Sequence, residues 1–214
     1  MESPELARMR SEYARDGLEE AAAGDDPLSL FSRWLDEAVA ADVHEPNAMA
    51  LATATADGRP SSRIVLLKGF DARGLVFFTG YESRKGHELE TNPFAAATML
   101  WHPLQRQVRV EGPVTRVADE ESDAYFTARP RGSQIGAVAS PQSRPIPDRQ
   151  ALEDRVAEVE HVFAERDVVR PPVWGGYRIA IASIEFWQGR QSRLHDRLRF
   201  TSTGDTWTRE RLAP

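Results

Sequence analysis

Two hydrophobic periods alternate along this chain. Behind Pro27, the residues Leu28, Phe31, Trp34, Leu35 and Ala38 recur at the spacing of one helix face. The pattern predicts a helix there, stopped at Pro46. From Met49 the texture becomes that of strands. Met49–Ala56 runs into the turn dipeptide Asp57-Gly58. Ser62–Phe70 holds Ile64-Val65-Leu66-Leu67, apolar on both parities, which predicts a strand covered on both faces. Asp71-Ala72-Arg73-Gly74 makes the next turn and Leu75–Thr79 the next strand. Strands joined by turns this short are antiparallel, because a parallel crossover needs about a dozen residues or more.

Ser83–Thr91 reads as a short helix closed by Asn92-Pro93, followed by strands at Phe94–Trp101 and Gln105–Val117. In the latter, Val108 and Val110 share one parity and Gln105, Gln107, Arg109 and Glu111 the other. Asp119–Ala128 and Asp148–Glu165 read as helices, with Arg129–Pro147, rich in Pro, Ser, Gly and Gln, as a functional loop between them. Tyr177–Trp187, Arg193–Phe200 and Thr206–Arg209 complete the strands. Many short strands with tight turns and a few helices predict a mainly β fold, an antiparallel barrel with peripheral helices. Residues 1–26, polar and charged, read as a short helix or mobile arm, and 27–214 as one domain. A Gly-rich fingerprint between strand and helix is missing, which disfavours a doubly wound nucleotide fold.

Composition narrows the function classes. The 214 residues are 41% hydrophobic and 28% charged, an ordinary globular balance. Lys+Arg 27 against Asp+Glu 33 gives a net charge of −6, which argues against a general nucleic-acid binder while leaving room for local basic patches. Without cysteine there is no disulfide framework, thiolate nucleophile or Cys-based zinc site. The histidines have no metal-ligand spacing, and no G-x-S-x-G elbow exists. No apolar run is long enough to span a membrane, so the expectation is a cytoplasmic, soluble protein whose redox chemistry, if any, belongs to a bound cofactor.

Several cationic groups are candidates for an anionic ligand. On a strand, Arg193, His195 and Arg197 share a face, and an anion opposite would relieve their repulsion; a solvated strand edge is the plainer alternative. Arg84-Lys85 follow Ser83, a suitable helix N-cap whose free amides attract phosphate, although many helices begin this way. Arg63 and Lys68 bracket one strand but differ in parity, so they either flank a ligand or snorkel to water. Tyr125, Arg129 and Ser133 occupy a helix end and the following loop and could gather around one phosphate, which spacing by itself does not establish. Trp101, Trp174 and Trp187 read as packing residues rather than stacking platforms.

Beyond this point a family resemblance adds to the residues. Arg63-Ile-Val-Leu-Leu-Lys68, Phe77-Phe-Thr79, Ser83-Arg-Lys85, Arg106-Gln-Val108, Arg129-Pro-Arg-Gly-Ser-Gln-Ile-Gly136, Gln142-Ser143, Phe186-Trp-Gln-Gly189, Arg193-Leu-His-Asp-Arg197 and Arg211-Leu-Ala-Pro214 resemble the pyridoxine (pyridoxamine) 5'-phosphate oxidases. The C-terminal Trp-Gln-Gly and Arg-Leu-His-Asp-Arg segments are the more specific part, since many split-barrel flavoproteins share the N-terminal texture. The resemblance implies an FMN-binding split barrel of Greek-key type, acting as a homodimer with FMN at the interface.

It implies that FMN contacts Arg63, Ile64, Val65, Leu66, Leu67, Lys68, Phe78, Thr79, Arg84, Lys85, Gln107, Gln142, Ser143, Trp187 and Arg197. It assigns the substrate to Lys68, Tyr125, Arg129 and Ser133 at the phosphate, to Arg193, Leu194 and His195 near the ring, and to Arg10 and Tyr13 on an arm that closes over it. Arg197 and His195 are the implied catalytic pair. The implied reaction oxidises pyridoxamine or pyridoxine 5'-phosphate to pyridoxal 5'-phosphate by hydride transfer from C4' to N5 of FMN, with O2 reoxidising the flavin to give H2O2. No metal is implied. Phe78 stands where a tyrosine is frequent, and Gly80 where Asn or Ser is. The alternatives are a split-barrel FMN or deazaflavin oxidoreductase with another substrate, or a non-catalytic carrier of FMN or pyridoxal phosphate.

Overall fold

The computed structural model describes residues 17–214. The elements, in chain order, are α1 (Glu20–Ala23), α2 (Pro27–Ala40), β1 (Ala48–Ala54), β2 (Pro60–Leu66), β3 (Gly69–Asp71), β4 (Gly74–Gly80), α3 (Arg84–Thr91), β5 (Phe94–Trp101), β6 (Arg106–Arg116), α4 (Asp119–Ala128), α5 (Arg131–Ala139), α6 (Arg149–Val162), β7 (Trp174–Ile179), β8 (Ser183–Gln188), β9 (Asp196–Ser202) and β10 (Trp207–Arg211). The fold is the expected mainly β, antiparallel split-barrel class with peripheral helices, and its main strand order is β10-β9-β8-β6-β5-β1-β2. The chain divides into two compact units, one from the chain up to Met49 with Ala97–Val110 and Ala182–Pro214, the other from Ala50–Ala96 and Glu111–Ile181.

In the first unit β8, β9 and β10 form an antiparallel meander, with Trp187 opposite Arg197 and Phe200 opposite Arg209. Helix α2 starts on Asp26, whose carboxylate accepts from the amides of Leu28 and Ser29, and Pro27 takes the first helical position. Its apolar face buries Leu30, Phe31, Trp34 and Ala38. Trp34 meets Phe186 edge-on at 5.3 Å between centroids. The helix ends at Ala40, before Pro46: Asp42 and Glu45 take left-handed φ values of 52° and 44°, so the backbone leaves the helix without needing the proline.

In the second unit β4 pairs with β3 and β7, and β7 with the end of β6 around Val114↔Ile179. Leu75, Phe77 and Ile179 are fully buried there. A satellite core of Phe126, Ile135, Val168 and Trp174 holds α4, α5 and α6, with Val156, Val159 and Phe163 of the α6 region packed on it. The helices expected at Asp119–Ala128 and Ser83–Thr91 are present, and Asp148 caps α6 by accepting from Ala151 N.

Several expected elements differ. The strand expected over Ser62–Phe70 is two strands, broken where Lys68 N donates to Val76 O at 2.8 Å. It is not covered on both faces: Ile64 is 64% exposed. The loop expected over Arg129–Pro147 contains α5, because Pro130 fixes the entry and its carbonyl accepts from the amides of Ser133 and Gln134. Tyr177–Trp187 is two strands; after Ile179, Ala180 N bonds Pro113 O and Ser202 N bonds Ala182 O, so the backbone partner changes at that corner. The strand expected from Arg193 begins only at Asp196, since Ser192 and Arg193 are left-handed at φ 55° and 62° in a single tight turn.

Candidate functional site

A cavity of about 550 Å³ lies within the second unit. Strand β2 supplies one wall through Arg63, Ile64, Val65 and Leu66, with Lys68 just beyond it. In the strand order β2 ends the ladder with β1 as its neighbour, so one row of its backbone groups has no strand partner among the described residues. The break after Leu66 also resolves the parity problem: Arg63 is on β2, Lys68 lies in the break before β3, and both line the same cavity.

The N-terminus of α3 supplies another wall. Ser83 caps it, its Oγ accepting from Gly86 N. Lys85, 6% exposed, directs Nζ to Thr79 Oγ1 at 2.9 Å, Ser83 Oγ at 3.2 Å and Gln142 Oε1 at 3.3 Å. Gln142 Oε1 also accepts from Thr79 Oγ1 and Gly80 N. Burial, reinforced by Arg63 and partly opposed by Glu88, lowers the Lys85 pKa to about 8. A Cβ on Gly86 would lie 1.9 Å from Tyr81 O, which explains the glycine beside this lysine.

Opposite, Phe78, Tyr125 and Trp174 stack, with Phe78 and Tyr125 centroids 3.9 Å apart. Arg129 lies over Trp174 at 4.6 Å, and its Nη1 is buried without a hydrogen-bond partner among the described residues. Burial lowers its pKa. Pro130, Ser133, Gln142 and Ser143 complete the lining, which among the described residues holds no carboxylate. Tyr125, Arg129 and Ser133 are thus brought to one cavity, as their spacing allowed. Trp174, expected only to pack, is both core and wall.

The remaining expected residues, among those described, are not in the lining of this cavity. Leu67 is buried, and Arg84 turns its guanidinium to Glu88, 2.9 Å away. Gln107, Trp187, Arg193, Leu194, His195 and Arg197 belong to the first unit. There His195 packs on Trp187 at 4.6 Å, and its Nδ1 accepts from Arg190 N, which places a neutral ring's proton on Nε2. Burial and then Arg193 lower its pKa. Arg193, His195 and Arg197 do not form a strand face, because β9 starts after His195. Nor does Arg197 lack an anion: Nε and Nη2 reach the two oxygens of Glu185 at 2.9 and 3.1 Å, and Nη1 donates to Ala213 O. Arg10 and Tyr13 lie outside the described residues.

Two carboxylates escaped the sequence reading. Glu88 stands four residues after Arg84, a helical i,i+4 spacing that signals the pair. Glu185 is the diagonal neighbour of Arg197, which only the β8–β9 register reveals.

Residues 35–163 match the family described as pyridoxamine 5'-phosphate oxidase, and residues 174–214 match the pyridoxine 5'-phosphate oxidase C-terminal dimerisation region. The chain is 58% identical over 210 residues to the pyridoxine/pyridoxamine 5'-phosphate oxidase of Rubrobacter xylanophilus, covering 98% of this chain and 97% of that one. The enzyme of the same description from Synechocystis is 51% identical over the full length of both. Among solved structures, PhzG from Burkholderia lata in complex with tetrahydrophenazine-1-carboxylic acid is 34% identical with a TM-score of 0.83, covering 100% of this chain and 98% of that one.

Proposed function

This chain belongs to the pyridoxamine 5'-phosphate oxidase family, and we propose on that premise that it oxidises pyridoxamine and pyridoxine 5'-phosphates to pyridoxal 5'-phosphate with FMN as cofactor. The observation that carries this reading is the cavity lined by Arg63, Lys68, Lys85 and Arg129 and, among the described residues, by no carboxylate. At an effective dielectric of about 20, a unit charge 4 Å from one cation gains about 4 kcal/mol, so a phosphate there outweighs the cost of assembling like charges. The partnerless Nη1 of Arg129 and the depressed pKa of Lys85 are two signs of the same unmet demand for an anion.

FMN fits these residues. Arg63 and Lys85 would hold its phosphate, Gln142 and Ser143 its polar groups, and the unpaired backbone edge along Ile64, Val65 and Leu66 would meet the polar rim of its ring. When bound, FMN supplies the two-electron acceptor for the hydride from C4' and passes the electrons to O2 as H2O2. Lys68, Tyr125, Arg129 and Ser133 would bind the substrate phosphate, and the stack of Phe78, Tyr125 and Trp174 makes that wall rigid and apolar. His195 would meet the substrate as a neutral ring donating from Nε2, and Arg197 would orient it from a guanidinium already fixed by Glu185. The match to a dimerisation region supports a second copy of the chain as partner, and FMN would lie at the interface between the two.

The test is direct. The purified chain is expected to take up FMN and show its visible bands. Pyridoxamine 5'-phosphate added in air should then yield aldehyde and peroxide in equal amounts. A chain that takes up no FMN, or one that holds FMN and makes neither product, overturns the reading.

A further inference from the structure

Glu88 projects from α3 into the interior, 4% exposed, on the helix whose first turn carries Lys85. Its Oε2 accepts from Thr53 Oγ1 at 2.5 Å, Ser61 Oγ at 2.6 Å and Arg63 Nη2 at 3.3 Å, and its Oε1 from Arg84 Nε at 2.9 Å. The ring closes on itself. Arg63 Nη1 donates to Thr53 Oγ1 at 2.5 Å and to Leu51 O at 3.3 Å, and Arg63 Nη2 also donates to Ser61 Oγ. Both terminal nitrogens of Arg63 are therefore tied to one frame built on β1, β2 and α3, while the residue still lines the cavity.

We propose that Glu88 is a positioning residue for the flavin phosphate: it holds Arg63 from behind and, through its charge, lets Arg63 and Lys85 stand side by side as cations. This deepens the functional reading above and rests on it. The geometry separates this role from a simple buried ion pair. A lone pair would need one contact, whereas here Ser61, Arg63 and Arg84 donate from β2 and α3, the elements that bring Arg63 and Lys85 to the cavity, and Thr53 donates from the neighbouring β1. Electrostatics agrees. Arg63 pushes the Lys85 pKa down and Glu88 pushes it up. Burial raises the pKa of Glu88 itself, but the bonds from Ser61, Thr53, Arg84 and Arg63 outweigh it and hold the group near 2, so it is charged at any pH at which the protein works.

FMN and riboflavin differ only in the phosphate, so their affinities for the full-length chain freed of flavin isolate this role. Wild type is expected to prefer FMN strongly. In Glu88→Gln the FMN affinity should fall by roughly tenfold or more, the scale known for lost hydrogen-bond partners behind metal-ligating side chains, with riboflavin affinity retained. The pH profile gives a readout that a structural role would not move. Wild-type FMN affinity should decline above about pH 8, and in Glu88→Gln that decline should begin at lower pH. Glu88→Asp, which keeps the charge, should restore much of the FMN preference. If Glu88→Gln does not fold, Thr53→Val replaces it: that change removes a hydroxyl bound to both Glu88 and Arg63 and should lower the FMN preference several-fold. An unchanged preference with an unmoved pH profile overturns the inference alone. A wild-type chain that binds no FMN overturns the functional reading and this inference together.

Discussion

Lys85 is a buried cation in the lining of the cavity, and the proposed function sets the ligand's phosphate against it. Burial and Arg63 bring its pKa from 10.5 to about 8, so between those values the flavin-free folded chain holds one proton fewer than the unfolded chain. Folding is therefore penalised by this residue below about pH 8, and the penalty is relieved as pH rises towards 10.5. A phosphate placed against Nζ reverses the balance and returns the proton. FMN binding at pH 9 should accordingly take up protons, a quantity read by calorimetry in buffers of different ionisation enthalpy. Lys85→Met should abolish the uptake; uptake that persists in the variant would show that another group is responsible. The cations of this cleft were legible as residues, but their convergence was not. Parity on one continuous strand forbids Arg63 and Lys68 from facing one spot, and only the break at Leu67 and Lys68 removes that restriction. The buried partners Glu88 and Glu185 left little trace, because a carboxylate in a sequence reads as solvated until packing shows otherwise.

Elements were legible where period and cap coincide. Pro27, Asp148 and Ser83 each mark a helix start that the structure keeps, and Asp119–Ala128 keeps both of its ends. Helix α5 was hidden because its glycines and Ser133 weaken helix propensity, and it persists because Ile135 and Ala139 are buried and Gln134 Nε2 bonds Phe126 O and Thr127 O. The start of β9 was hidden by left-handed Ser192 and Arg193, a conformation that non-glycine residues seldom announce. That shift matters for Arg197. On β9 it is held by Glu185 of β8, itself 7% exposed and 3.5 Å from Arg109. Replacing Arg197 alone strips a buried carboxylate of its main partner, which costs about 3–5 kcal/mol where nothing compensates. Arg197→Met should therefore lower both stability and turnover, whereas Arg197→Met with Glu185→Gln should recover stability in denaturant titrations and leave turnover low. Recovery of both would assign Arg197 a purely structural role.

At the scale of the whole molecule the sign of the charge reverses. A chain of net charge −6 places cations around its cavity, so attraction of a phosphorylated ligand is local and acts over the roughly 8 Å that screening permits at physiological salt. The assembly has its own consequence. Ile64, on the cavity-lining strand, is 64% exposed. A dimerisation region is matched over residues 174–214, and the proposed placement of FMN at the interface requires flavin and dimer to stabilise each other by the same free energy. Sedimentation followed at flavin wavelengths should show a species of twice 23.9 kDa at high concentration. On dilution below the dimer dissociation constant, flavin should leave as monomer appears, and excess FMN should move that transition to lower protein concentration. A 23.9 kDa species that keeps its flavin through dilution would place the whole cofactor site within one chain.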